Sequence, residues 1–213
     1  MLFWSPFLDL LRAVLFAFAH VCGGSLGGGI VVLSLIVRLA LLPLTYRLAL
    51  RGHEYQMALR RLKPQLDALK DRHGADPLRL AQETRALQTR NGIGMTPKGT
   101  FLGALVQMPI GAGIYQTIGS VAKRAAQFLW IHDLSRPDAL VASVAAGLAG
   151  AAVAAGPSST GSRVSAALAA AVTFVVAWRL SAGVGLYWVA SNIVGVVQSF
   201  LVRRAAATAD TKA

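Results

Sequence analysis

Long apolar runs separated by short polar stretches dominate this chain. The first runs from about residue 28 to 48 and is interrupted in its body only by Ser34, Arg38 and Pro43. Four more follow at roughly 100–121, 140–156, 164–180 and 185–202. Each approaches the ~20 residues that cross a hydrocarbon core as a helix, so the pattern predicts five transmembrane helices. The third run is mostly alanine and glycine, which contribute little transfer energy but allow close helix packing.

Two other segments carry helical periodicity without reading as spans. From Pro6 to Val21, Phe7, Leu11, Leu15 and Phe18 recur on one face while Asp9 and Arg12 share the other. That pattern predicts an amphipathic helix lying in the membrane interface, within an N-terminal segment 1–24. Between the first two spans, Leu59, Leu62, Leu66 and Leu69 recur at three and four, and Leu80, Thr84 and Leu87 resume the pattern. The break is Gly74-Ala75-Asp76-Pro77, a glycine stop followed by an Asp-Pro start, so 49–92 is expected to be a helical hairpin. Pro64 is expected to mark a kink or a helix start. The organisation expected is an all-α polytopic core over 25–204 and a short tail over 205–213.

Composition strengthens this reading. Apolar residues make up 55% of the 213 and charged residues only 14%, against about 25% in a soluble domain. Mean hydropathy is +0.56. The net charge of +12 is unevenly placed. Eleven of the 21 basic residues lie between Arg47 and Lys98, and Arg203, Arg204 and Lys212 follow the last span. The opposite side keeps Arg12, Lys123, Arg124 and Arg136, offset by Asp9, Asp133 and Asp138. Positive charge marks the cytoplasmic side, so the N-terminus is expected outside and the C-terminus inside. The hairpin's basic face has two readings: solvation of the helices, or docking to anionic headgroups or an anionic partner.

No enzyme constellation is present in the pattern. His20, His53, His73 and His132 lack metal-ligand spacing, the spans hold no paired carboxylates, and Gly23 to Gly29 lacks the Lys-Ser or Lys-Thr of a phosphate loop. No catalytic, metal or cofactor site is expected. Cys22, the single cysteine, reads as a lipidated residue or as a plain buried or interfacial thiol, and bulky Val21 before it disfavours the first.

Arg38 requires an explanation, because a charge at mid-span costs ~2.5–3.5 kcal/mol on insertion scales. Snorkelling to Tyr46 or Arg47 would need ~12–13 Å, about twice an arginine's reach. No Asp or Glu lies in a span to pair with it. A water-filled cavity remains, and Gln107, Ser191, Asn192 and Gln198 are candidates to line it with Arg38. Arg179 lies near an outer helix end, where snorkelling suffices. Trp4, Trp130, Tyr187 and Trp188 are expected in an aromatic belt.

The ordered set of motifs resembles the YidC family of membrane protein insertases, whose relatives act in mitochondria and chloroplasts. It comprises Ile36-Val37-Arg38 leading to Leu41-Leu42-Pro43-Leu44-Thr45, then Leu62-Lys63-Pro64-Gln65-Leu66 and Asp76-Pro77. It continues with Gln107-Met108-Pro109-Ile110, Ala112-Gly113-Ile114-Tyr115-Gln116, and Phe128-Leu129-Trp130-Ile131 with Asp133-Leu134-Ser135. Leu186-Tyr187-Trp188, Ser191-Asn192 and Gln198 complete it. The sequence differs from the family pattern in expecting no large extracytoplasmic domain, in a nine-residue tail after Arg204, and in the lead from Gly94 to Phe101.

The resemblance implies a five-span bundle of the bacterial plasma membrane around a hydrophilic groove, open to cytosol and lipid, with Arg38 central. It implies insertion and folding of newly made membrane proteins without nucleotide or cofactor. Nascent membrane proteins and lipids are the implied partners, with the Sec translocon and the ribosome further candidates and no nucleic-acid recognition. The short tail argues against ribosome docking through the C-terminus. A small channel or transporter with an arginine-lined path stands as the alternative, though no convincing internal repeat and no paired broken helices support it.

Overall fold

The computed structural model describes residues 4–93, 98–122, 127–157 and 163–210, without the side chains of 98–107, 122, 209 and 210. The lead at Gly94 to Pro97, the charges Lys123 and Arg124, and the Gln107 side chain lie outside the described residues. The described residues form seven helices: α1 (Trp4–Val21), α2 (Leu26–His73), α3 (Pro77–Arg90), α4 (Lys98–Ala122), α5 (Ala139–Ala155), α6 (Arg163–Ala177) and α7 (Ala182–Asp210). They divide into two compact units, one of residues 1–43 and 106–213, the other of residues 44–105.

In the smaller unit, α2 runs on to His73 and α3 begins at Pro77. Asp76 caps α3, its carboxylate accepting from the Arg79 N–H at 3.1 Å. No helix starts at Pro64, which lies inside unbroken α2. Proline there removes one backbone donor, and the Leu, Arg, Lys and Gln around it are strong enough helix formers to carry the helix through. Leu62 and Ile93 are buried, α3 has no buried residue, and a cleft of about 290 Å³ runs between Leu69 and Arg72 on α2 and Glu83, Leu87 and Arg90 on α3. The hairpin is thus thinly packed.

The larger unit holds the hydrophobic core, built from Leu11 and Leu15 of α1, Ile30 and Leu33 of α2, Ile114, Ile118 and Val121 of α4, and Val184 and Leu186 of α7. The segment from Phe128 to Asp138 closes one end. Phe128 and Ile131 exchange backbone hydrogen bonds at 2.9 and 2.8 Å, and Leu134 is fully buried. The carbonyls of Arg136 and Leu134 accept from the Ala182 and Gly183 N–H groups, satisfying donors at the start of α7. Asp138 caps α5 by accepting from the Val141 N–H at 2.9 Å. Asp133 accepts from both the Ser135 hydroxyl and its N–H, which with Arg136 beside it holds its carboxyl below the usual value of 3.8.

α1 crosses that same end of the unit. Its Ala19 meets Gly29, three residues into α2, while Trp4 donates to Gln116, six residues before the end of α4. The two contacts are ~22 Å apart along α1, yet both lie within ~10 Å of one end of the bundle. Two glycines make room for this arrangement. A side chain at Gly27 would overlap the Phe128 ring, and a Cβ at Gly29 would lie 2.8 Å from the Ala19 nitrogen. Backbone cannot yield as a side-chain tip can. Gly29→Val is therefore expected to destabilise the protein by at least ~1–3 kcal/mol, read as a lowered thermal midpoint in detergent, with Ser34→Ala on the same helix as control.

Lipid-facing character is plain on α6, where Val164, Leu168, Val172, Val175 and Val176 form one exposed apolar face. Among the described residues, three helices are long and apolar enough to cross a membrane: Trp4–Val21, Leu26–His73 and Ala182–Thr208. α5 and α6 are apolar but only 17 and 15 residues long. α7 continues past Arg204 to Asp210, so the segment expected as a tail is largely helix.

Candidate functional site

Arg38 stands twelve residues into α2, ~18 Å from the closed end of the larger unit. It lines a cavity of about 590 Å³ with Gly111, Ala112, Tyr115 and Gln116 of α4, Thr173 of α6, Leu180, and Val184, Tyr187, Trp188, Ser191 and Asn192 of α7. The α7 residues recur at three and four, one face of the helix, as do the α4 residues. No carboxylate is among the lining residues.

Two polar atoms at this site are buried without a hydrogen-bond partner, Nε of Arg38 and Oγ of Ser191. Such atoms are costly to leave unpaired, and the residues that carry them line a cavity far larger than the ~10–15 Å³ that one water needs. Asn192 is different: its Nδ2 donates to the Ala145 carbonyl at 3.0 Å, tying α7 to α5. Gln198 is two turns beyond the lining and is engaged in an interaction of its own.

Of the five residues singled out in the sequence, the structure brings Arg38, Ser191 and Asn192 together. Tyr187 and Trp188, expected in an aromatic belt, are half-buried on the cavity wall, because they share a helix face with Val184 and Ser191. Tyr115, Gln116 and Thr173 were not anticipated. Their signals were a polar pair at the spacing of Gly111 and Ala112, and a single threonine inside the alanine-valine run of α6. Among the described residues no group of three or more His, Cys, Asp or Glu comes together as a metal site would require.

Exposed apolar helix faces, with an arginine inside an apolar run lining a cavity between the helices, define a helical membrane protein. The chain belongs to the family described as 60Kd inner membrane protein, whose model matches residues 17–209. It is 32% identical over 98% of its length to the membrane protein insertase YidC of Cellvibrio japonicus, covering 40% of that protein. It is 30% identical over 89% of its length to YidC of Caldanaerobacter subterraneus, covering 91% of it, and 30% identical over 95% to that of Azotobacter vinelandii, covering 35%. The chain thus spans well under half of two of these relatives and nearly all of the third. It is a protein of the bacterial membrane, and the family is one of insertases rather than enzymes.

Proposed function

We propose that this chain is a membrane protein insertase that moves the hydrophilic segments of newly made membrane proteins through a groove centred on Arg38. The observation that carries the reading is the buried, unpartnered Arg38 Nε on a cavity of about 590 Å³ lined by no carboxylate. A hydrophilic segment must cross ~30 Å of hydrocarbon, and a wet groove reaching Arg38 shortens the dry part of that path. The guanidinium offsets the desolvation of acidic groups on the segment. The client's own apolar helix, passing from groove to lipid, supplies the driving energy, so neither nucleotide nor cofactor enters.

In this reading α2, α4, α5, α6 and α7 are the five spans, with the N-terminus outside, the hairpin and C-terminus in the cytoplasm, and α1 lying in the outer interface. The exposed Asp9–Arg12 pair at 3.1 Å and the crosswise path of α1 support its interfacial placement. Residues 127–138 close the outer end and leave the groove open to cytosol and lipid. The Sec translocon and the ribosome are candidate partners of the cytoplasmic face.

The test is depletion of the resident insertase in cells supplied with this chain, following insertion of a small two-span client. Insertion is expected to be restored, and cysteines replacing Gln82 and Ser135 to be labelled only from the cytoplasm and only from outside, respectively. Failure to restore insertion would refute the function, and outside labelling at position 82 would refute the orientation.

A further inference from the structure

A second cavity, of about 460 Å³, adjoins the Arg38 cavity, and Tyr115, Gln116, Leu180 and Val184 line both. From the first cavity to the second, the α4 lining advances from Gly111 to Ser120 and the α7 side retreats from Asn192 to Ser181. Both shifts point to the same end of the bundle, the one that residues 128–138 close. The second cavity also holds Arg179. Arg179 has no ion-pair partner among the described residues. Asp133, the nearest carboxylate in sequence to this lining, is taken up by Ser135 and Arg136. The wall between the cavities includes Gln116, whose Oε1 accepts from Trp4 Nε1 at 3.2 Å.

A single strong charge in a path captures an anion but also retains it, whereas successive sites let it move on. We propose that Arg179 forms a second anion subsite, at the outer end of the path, that receives the carboxylates of a client's translocated segment as they leave Arg38. This rests on the insertase reading and adds to it a place for the acidic group after the arginine of the first span.

The test uses the full chain in a Cys22→Ser background, with two clients differing only in whether the translocated segment is acidic or neutral. Arg179→Gln is expected to slow insertion of the acidic client about three- to tenfold, leave the neutral client unchanged, and be rescued by Arg179→Lys. A cysteine replacing Ser181 is expected to form a disulfide with a client cysteine placed beside the acidic residue. Equal slowing of both clients would point to a structural role or to a lipid phosphate held by Arg179, and would overturn the proposal. So would a client that crosslinks to a cysteine replacing Ser191 but never to one replacing Ser181. If Arg38→Ala impairs the acidic client and Arg179→Gln does not, the second subsite is wrong and the insertase reading stands. If neither substitution has an effect, the groove reading itself fails.

Discussion

Replacing Arg38 with alanine is expected to reduce insertion of a client with an acidic translocated segment by about 10- to 100-fold. That range corresponds to the loss of one charge-assisted interaction of ~1.5–3 kcal/mol. A client with a neutral segment is expected to change by less than about threefold, because its segment draws little on the charge. Arg38→Lys should keep most of the activity, since a point charge suffices for attraction, while Arg38→Glu should be worse than alanine through repulsion. A cysteine at position 38 should react with a small water-soluble reagent added from the cytoplasmic side. Full activity of Arg38→Ala on the acidic client would exclude the charge mechanism, and an unreactive cysteine would exclude the wet groove.

The second large effect is expected from the hairpin. Its unit is compact by itself, and within it α3 has no fully buried residue and a cleft lies between the facing residues Leu69 and Leu87. Segments with so few buried contacts open at low cost and lend themselves to docking. Deleting Lys70 to Arg79 is therefore expected to lower insertion several-fold while the thermal midpoint of the protein in detergent shifts little. Pulse-labelled insertion assays and thermal unfolding measured on the same variant separate the two effects. A collapse of the midpoint would make the hairpin a structural strut and end the docking reading.

Much of this was legible in the residues because it depends on local or one-dimensional rules. Apolar runs near membrane length fix the helical membrane class, since bilayer thickness and helix rise are constants. The Asp76-Pro77 pair announces a helix start because its capping bond closes over three residues. Arg38 stands out because its cost does not depend on which helices surround it. The ordered motifs also pointed to the family that the match over residues 17–209 establishes.

What the chain alone left undecided is which face each helix turns inward. Ser191, Asn192 and Gln198 are equally polar letters on one helix, yet Ser191 lines the cavity, Asn192 bonds across to Ala145, and Gln198 lies beyond it. Tyr187 and Trp188 suit a membrane belt as well as a cavity wall, and only the rotation of α7 against α4 chose the wall. That rotation is set by close approaches such as Gly183 on Ile118 of α4 and Gly185 on Val141 of α5, between residues distant in sequence. For α1 the periodicity predicts an interfacial helix, and the structure adds where it packs, with Trp4 against Gln116 and Ala19 against Gly29. Periodicity specifies that a helix has an inner face, but packing of glycine and alanine against neighbouring backbones decides what that face meets.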